Sequence, residues 1–366
     1  MVLLFLVIFW LGSNLSQNLQ RLRLPFNFGF LATQAGFNIG ETPLPYRPTD
    51  TYLLALGVGL VNSLRVMLTG MVLATFMGIT VGLARLSDNW LVRQLALIYV
   101  ETLRNLPLLL QLLFWYLAVF FQLPKFEQRL ELPGPTYLSN QGIVLPWLQA
   151  TSTTPIWLMM MGVAGAIAFA LWRRQVQRQI DQGRSRAPWV WPVLTLILGL
   201  GLAWGWTQTG PFAWSRPQVF EQIQVQGGLQ LSAEFSALLL GLTLYSAAFI
   251  AEIVRAGITA VAKGQREAAR ALGLKPGMTM RFVIFPQALR VIVPPLTSQY
   301  LNLAKNSSLA IAIGYPDLYA VASTTFNQTG RTVEIFVLLM VTYLIISLMV
   351  SLLMNLYNRS LQIVER

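Results

Sequence analysis

The sequence contains no cysteine and no histidine among its 366 residues. These absences exclude disulfides, thiol nucleophiles, imidazole metal ligands and histidine-based acid–base catalysis. Charged residues are also scarce, at 11%, whereas 55% of the side chains are hydrophobic. This composition is typical of a chain that lies largely in lipid, and the functions left to it are transport or catalysis by carboxylates alone.

Long apolar runs recur along the chain, and most approach the roughly 20 residues that a helix needs to cross about 30 Å of hydrocarbon. They predict an all-α, polytopic membrane protein with eight transmembrane helices. The first run lacks a basic leader, so we interpret it as a helix and not as a cleaved signal peptide. Because Gly314 and Pro316 interrupt the region 308–325, we expect an irregular or re-entrant stretch there. The predicted spans are 1–12, 52–84, 92–121, 156–172, 189–206, 232–256, 286–304 and 332–356.

Arginines and lysines cluster in alternate connections between the predicted spans. With eight spans, the clusters at 85–93, 173–186, 263–281 and 359–366 all lie on one side of the membrane. The positive-inside rule makes this side cytoplasmic, and the longer connections then face outward. The net charge of +12 is accounted for by this topology, so the sequence gives no support to a nucleic-acid-binding role.

The most specific signal lies in the basic loop 257–286, between the sixth and seventh predicted spans. Glu267-Ala268-Ala269 is followed after three residues by Gly273, and after nine further residues by an apolar segment that ends at Pro286. This pattern resembles the EAA motif of ATP-binding-cassette importer permeases, in which the glycine and the proline occur at the same offsets. The matching offsets make the signal far more specific than a lone Glu-Ala-Ala.

The loop also has the local signals of a short helix. Residues 265–272 follow Gly264 and are mostly good helix formers, and Gly273 is well placed to end the helix with a positive φ. In the family that this loop resembles, the short helix docks in a groove of the cytoplasmic ATPase. The alternative is an ordinary loop helix on the membrane surface. The predicted docking residues are Gly264, Glu267, Ala268, Ala269, Gly273 and Pro286.

The resemblance extends to about 51–121 and 232–366, which are similar to the polar-amino-acid permease family. Arg104-Asn105-Leu106-Pro107 and the segment from Lys305 to Asp317 carry much of it. Within that family, the larger permeases of general L-amino-acid importers have an added segment, which corresponds here to 122–231. The resemblance implies an N-terminal helix and periplasmic segment at 1–50, two core parts that together form a five-helix permease core, and an added transmembrane hairpin between these parts.

Further expectations follow from this resemblance. The chain is expected to be the permease subunit of an ATP-driven amino-acid importer in a bacterial inner membrane. Its partners would be a cytoplasmic ATPase dimer, a second permease of different but homologous sequence, and a periplasmic amino-acid-binding protein. The chain itself would hold no cofactor, because ATP and Mg would bind the ATPase.

Two other classes of membrane protein are alternatives to an importer permease. An ion-gradient-driven secondary transporter would make no use of a docking loop, and no inverted repeat is apparent. An intramembrane enzyme would have to use Glu101, Glu252 or Asp317, and no serine–lysine or paired-aspartate arrangement supports it. The chain contains no Gly-x-x-x-x-Gly-Lys-Ser/Thr phosphate loop, so ATP hydrolysis would require another polypeptide.

Polar residues within the predicted spans are candidates for the substrate path. Glu101 and Arg104 lie three apart on a predicted helix, so they either form an ion pair or contact the ammonium and carboxylate of an amino acid. A second group lies at the outer end of the seventh span, where four consecutive polar residues suggest a break in the helix. The candidate path residues are Glu101, Arg104, Asn105, Gln111, Lys305, Asn306, Ser307 and Ser308.

The topology can be tested with reporter fusions. A reporter inserted within 173–188 is expected to behave as cytoplasmic, because five arginines crowd this connection. A reporter within 122–155 is expected to be periplasmic. Alkaline phosphatase and green fluorescent protein fusions at both positions provide the measurement, and a periplasmic signal from the first fusion would contradict the eight-span topology.

Overall fold

The computed structural model describes residues 26–182, 189–220 and 224–361, together with a few isolated positions before residue 26. The chain divides into two compact units. The core unit consists of Met1–Gln122 and Ser232–Arg366, and the inserted unit is Leu123–Leu231. The helices are α1 Tyr52–Ala84, α2 Trp90–Asn105, α3 Leu108–Leu113, α4 Thr154–Gln182, α5 Val190–Thr207, α6 Ala233–Thr259, α7 Lys263–Ala271, α8 Pro276–Thr279, α9 Phe285–Asn306, α10 Leu318–Thr329 and α11 Thr332–Leu361.

Five helices in the described residues are long and apolar enough to cross a membrane. They are α1, α4 (over Thr154–Gln177), α5, α6 and α11, and the prediction of a polytopic helical membrane protein is confirmed. The predicted span 286–304 is helical in α9, but this helix is not among the five, because Gln287, Arg290 and two prolines interrupt its apolar sequence. The predicted span 1–12 lies mostly outside the described residues.

The expected single helix at 92–121 is wrong. The chain forms α2 and then α3, which continues as a π-helix over Phe114–Phe120, and the two parts are bent by 107° at Leu106–Pro107. The physical reason is local, because a proline disfavours the helical conformation of the residue before it. Leu106 accordingly has an extended conformation, with φ −94° and ψ 134°.

Polar side chains fix the start of four helices in the core unit. The side chain of Thr51 accepts a hydrogen bond from the Leu54 amide at the start of α1, and Asn89 accepts from the Leu91 amide at the start of α2. Ser232 and Asp317 cap α6 and α10 in the same way. Such caps satisfy amides that have no partner within the helix, and each typically contributes about 1 kcal/mol.

The centre of the core unit is the pair α1 and α6, which run parallel and in close contact. Small residues on α1 permit the approach. An added Cβ at Gly78 would lie 2.6 Å from the side chain of Ile250, and one at Gly82 would lie 2.8 Å from the carbonyl oxygen of Ala251. The four-residue spacing of these glycines places both on one face of α1. Around them, α1, α6 and α9 bury one continuous apolar cluster.

The region between α9 and α11 is partly irregular, as the sequence suggested. A 3-10 helix over Ser307–Ile313 follows α9, and Gly314 then takes a left-handed conformation with φ 78°. The expectation of an irregular stretch over all of 308–325 is nevertheless wrong for its second half, because α10 is a regular helix over Leu318–Thr329. The Asp317 cap and the close contact of Gly59 with the start of α10 explain why this helix forms.

In its described residues, the inserted unit contains the expected helical hairpin and eight short strands, which were not predicted from the sequence. The helices α4 and α5 pack where Gly199 faces Ala164, and the Trp157 indole donates to Thr207 Oγ1 at 3.0 Å. All strand pairings with a described register are antiparallel. The strands are β1 Leu130–Leu132, β2 Thr136–Ser139, β3 Gly142–Leu145, β4 Trp147–Ala150, β5 Phe212–Ser215, β6 Gln218–Phe220, β7 Gln224–Gln226 and β8 Leu229–Ser232. They form the sheets β1-β2-β3-β8, β4-β5 and β6-β7.

The substitution Gly78→Val should destabilise the core unit, because the new side chain would overlap Ile250 and force α1 and α6 apart. Overpacking of this kind typically costs about 1–3 kcal/mol. Gly57→Val in the same helix is the matched control, because a Cβ there meets nothing within 4 Å. The measurement is the thermal stability of the detergent-solubilised protein by fluorescence-detected size exclusion. Equal stability of the two variants would contradict the described packing.

Candidate coupling loop and polar path

The short helix α7 presents the predicted docking residues. The prediction of a helix ended by Gly273 is confirmed: α7 covers Lys263–Ala271, and Gly273 has φ 72°. The Leu274 amide donates to the carbonyl oxygen of Ala269 at 3.1 Å, and the Gly273 amide donates to that of Arg270 at 2.9 Å. These two bonds are the Schellman motif, which requires a left-handed residue at the position of the glycine.

The exposed face of α7 is separate from the face that contacts the rest of the core unit. Gly264, Glu267 and Ala268 are exposed, whereas Ala269 is buried. Leu272, directly before the capping glycine, leaves 80% of its surface accessible. Gly264, Glu267, Ala268 and Leu272 are therefore accessible to another protein.

Hydrogen bonds tie α7 to both neighbouring helices. The guanidinium of Arg266 donates to the carbonyl oxygen of Ile258 near the end of α6, at 3.2 Å. The Gln287 amide in the first turn of α9 donates to the side chain of Gln265 at 3.1 Å. A displacement of α7 therefore acts directly on α6 and α9.

The connection from α7 to α9 is more helical than the sequence indicated. Pro276 begins α8, a π-helix follows over Met280–Ile284, and α9 starts at Phe285. Pro286 is thus in the first turn of α9, as expected, but it follows other helical residues and does not begin the helical segment. The wider π-helical turn before it accommodates a residue that has no amide to donate.

Glu101 and Arg104 do not form an ion pair with each other in the structure. The guanidinium of Arg104 lies over the Phe249 ring of α6, with its central carbon 5.2 Å from the ring centroid. Glu101 is exposed, and its carbonyl oxygen accepts from the Asn105 side chain at 2.7 Å. Because α2 ends at Asn105, Arg104 lies at the bend, where its long side chain extends toward α6.

Gln111 lies on the inner side of the bend between α2 and α3. Its amide nitrogen donates to the carbonyl oxygens of Leu103 and Leu106, at 2.9 and 3.0 Å. These carbonyls lose their helical partners where α2 ends, so the buried Gln111 side chain satisfies them. The side chain thereby stabilises the bend.

A cluster of charges at the C-terminal ends of α1 and α6 was not predicted as a unit. Glu252 of α6 forms ion pairs with Arg85, which follows α1, and with Arg255 one turn further along α6. The Arg255 Nε atom lies 3.1 Å from a Glu252 carboxylate oxygen. The spacing of three residues between Glu252 and Arg255 is a signal that sequence reasoning could have used, but nothing local indicates Arg85.

The polar residues at the end of α9 lie beside a cavity. Lys305 and Ser308 line it together with Tyr343, Leu344 and Ser347 of α11, and its volume is about 480 Å³. Ser307 is buried and donates to the carbonyl oxygen of Ala304 at 2.8 Å, whereas Asn306 is partly buried. Of the four predicted path residues here, the structure therefore brings Lys305 and Ser308 to one cavity.

A buried carboxyl group lies at the start of α10. The Asp317 carboxyl accepts from the Ala320 amide at 2.8 Å, and its second oxygen has no hydrogen-bond partner. Ser63 accepts from the Leu318 amide at 2.9 Å, so α1 supports the start of α10. Within the described residues, no group of three or more acidic side chains is arranged to hold a metal ion.

Curated proteins similar to this chain include three of nearly equal length. The chain is 46% identical to the putative amino-acid ABC transporter permease protein YhdX of Escherichia coli K12, over 98% of this chain and 91% of the relative. It is 42% identical to the general L-amino acid transport system permease protein AapQ of Rhizobium johnstonii, over 100% of this chain and 91% of the relative. It is also 42% identical to the glutamate/glutamine/aspartate/asparagine transport system permease protein BztB of Rhodobacter capsulatus. This match covers 100% of this chain and 92% of the relative.

The fold has a counterpart among solved structures. A chain in the crystal structure of an amino acid ABC transporter with histidines aligns with a TM-score of 0.50 and 22% identity, over 84% of this chain and 95% of that one. In addition, residues 187–363 match the family described as binding-protein-dependent transport system inner membrane component. With full-length relatives above 40% identity, this chain therefore belongs to the family of inner membrane components of binding-protein-dependent transport systems.

Proposed function

We propose that this chain is the permease subunit of an ATP-driven importer that carries amino acids into a bacterial cell. The observation that carries the proposal is the geometry of α7: an exposed helix, ended by a left-handed glycine and hydrogen-bonded to two neighbouring helices. The names of the full-length relatives, each an amino-acid permease, support the substrate class. An ion-gradient-driven transporter is not supported, because the family depends on binding proteins.

The working complex contains two permeases and two cytoplasmic ATPases, and a periplasmic binding protein delivers the amino acid. The second permease is a different homologous chain. Nucleotide-driven closure of the ATPases displaces α7, and its bonds to Ile258 and Gln287 pass the displacement to α6 and α9. Because α6 packs tightly on α1, the two helices rotate together and expose the path alternately to each side.

The path passes the cavity at the end of α9. Lys305 supplies a positive charge to this cavity, which can bind the carboxylate of an amino acid. The hydroxyls of Ser308 and Ser347 can form further hydrogen bonds with the substrate. Asn306 and Ser307 shape the break between α9 and the 3-10 helix that exposes this wall of the cavity. Glu101, Arg104, Asn105 and Gln111 remain candidates at the bend between α2 and α3, where Arg104 faces α6.

Coupling is tested by Gly273→Val, which requires a β-branched residue to adopt φ 72°. The left-handed conformation costs about 1–2 kcal/mol for a residue with a side chain, so the end of α7 should unwind. We expect an inserted protein with at least tenfold lower uptake and little substrate-stimulated ATP hydrolysis in proteoliposomes. Gly277→Val is the matched control, because this exposed glycine in the same loop has no positive φ. Full coupled activity of Gly273→Val would refute the proposed docking role of the loop.

The path is tested by Lys305→Met, which removes the ammonium from the cavity and keeps much of the side-chain volume. Loss of one charge-assisted hydrogen bond, worth about 1.5–3 kcal/mol, should weaken apparent substrate affinity by roughly tenfold or more. Lys125→Met in the inserted unit is the control, because this lysine is exposed and lines neither described cavity. Concentration-dependent uptake on assembled complexes gives the measurement. Unchanged affinity would remove Lys305 from the path.

A further inference from the structure

The segment 26–51, here called the outer strap, crosses the outer end of the core unit before α1 begins. A bridge between Gln34 and Thr51 folds the strap back on itself, and the Ala35 amide donates to the carbonyl oxygen of Asp50 at 2.8 Å. Its apolar side chains, Phe30 and Phe37 among them, pack with residues of α1, α10 and α11 in one cluster. The strap is therefore held on this side by apolar burial.

Glu41 holds the other side of the strap through polar contacts alone. One carboxylate oxygen lies 2.8 Å from the Arg65 guanidinium of α1, and the other accepts from the Ser232 hydroxyl at 2.8 Å. The main-chain carbonyl of Glu41 accepts from the side-chain amide of Asn62, which also donates to the carbonyl oxygen of Pro316. A single residue thus links the strap to α1, to the start of α6 and, through Asn62, to the turn before α10.

The strap forms one wall of a cavity of about 390 Å³ at the outer end of the core unit. Residues 37–41 provide this wall, Ser232 and Glu234 provide a second, and residues between Gly314 and Thr324 provide a third. Because the strap is anchored on α10 and α11 at one side and on α6 at the other, it bridges the cavity from side to side.

The two attachments of the strap differ in strength. The apolar cluster around Tyr52 and Ile335 is buried, so detaching the strap there would expose several large side chains to water. The ion pair is partly accessible, with 29% of the Arg65 side chain and 17% of the Glu41 side chain exposed. In such a largely buried pair the cost of desolvating both charges offsets most of their attraction, so exchanging the pair for water costs little. Ile39 and Tyr46 pack on this cluster on either side of Glu41, so the strap can stay attached there while its tip at Glu41 is released.

We infer that the outer strap is a lid over the extracytoplasmic end of the path, and that Glu41 is the positioning residue that latches it. The inference rests on the proposed transport function, since it gives the strap a role in the access step. With the latch closed, the strap shields the cavity, and with Glu41 released from Arg65 and Ser232 the cavity opens to the outside.

The lid is tested by thiol labelling of the assembled transporter in proteoliposomes. Because the chain has no native cysteine, Thr324→Cys in the cavity wall gives a single reporter for a membrane-impermeant maleimide added outside. Adding Glu41→Gln should raise the labelling rate about fivefold, as expected for loss of one partly exposed ion pair. The double change Glu41→Arg with Arg65→Glu should restore slow labelling. Glu127→Gln, an exposed carboxylate of the inserted unit, is the control and should change nothing.

A second measurement keeps Glu41 and locks the strap. The pair Gly40→Cys and Thr324→Cys, which line the same cavity, is bridged with a bifunctional maleimide, and uptake of radiolabelled L-glutamine is compared before and after bridging. Bridging should abolish uptake. Unchanged uptake after bridging, or equal labelling rates with Glu41 and with Gln at this position, would overturn the lid. If neither the unmodified transporter nor any strap variant takes up amino acids, the proposed function is contradicted. The lid is still tested in that case, because the labelling rates are measured without transport.

Discussion

The close parallel contact of α1 with α6 is the constraint on which the core unit depends. Gly78 and Gly82 leave no space for a side chain between the two helices, so each helix fixes the position and rotation of the other. Ion pairs lie toward both ends of this contact: Glu41 with Arg65 at the outer end, and Arg85 with Glu252 at the inner end. The pair therefore forms the centre of the core unit, to which α7 and the outer strap are attached.

The attachments to this centre have distinct physical characters. On the inner side, α7 is short, exposed and held by two hydrogen bonds, so it can transmit force to α6 and α9 without being buried itself. On the outer side, the strap is held by apolar packing at one end and by Glu41 at the other. A tightly packed centre with polar contacts at its periphery suits a protein that must change shape repeatedly, because the polar contacts exchange for water at low cost.

The polar residues inside the core unit show how a membrane protein manages broken helices. The bend between α2 and α3 leaves carbonyl groups without partners, and Gln111 satisfies two of them. At the start of α10, Asp317 and Ser63 satisfy exposed amides in the same way. Irregular backbone at membrane depth requires such partners, since lipid offers none. Polar residues therefore support both breaks, and the break between α9 and α10 also contributes walls to the two described cavities.

Much of the local structure could be predicted from the sequence, because its causes are local. The apolar runs predicted the long helices α1, α6 and α11, and the helix formers before Gly273 predicted α7 and its left-handed cap. The offsets from Glu267 to Pro286 marked this loop as the candidate coupling loop, and its coupling role stays a prediction. Leu106-Pro107 also carried a local signal for the bend, but the length of the apolar run 92–121 concealed it.

Other features were decided by contacts between residues far apart in the sequence. The partners of Glu252 and Arg104 depend on how α1 and α2 lie against α6, and no spacing along the chain specifies that arrangement. The cavity at Lys305 requires α11 as its second wall, and the Glu41 latch joins residues separated by 24 and 191 positions. Sequence patterns determine which segments become helices and where they end. The pairing of polar groups is decided only by the tertiary structure. Packing of the apolar faces determines which helices become neighbours, and each polar group finds its partner on the neighbouring helix.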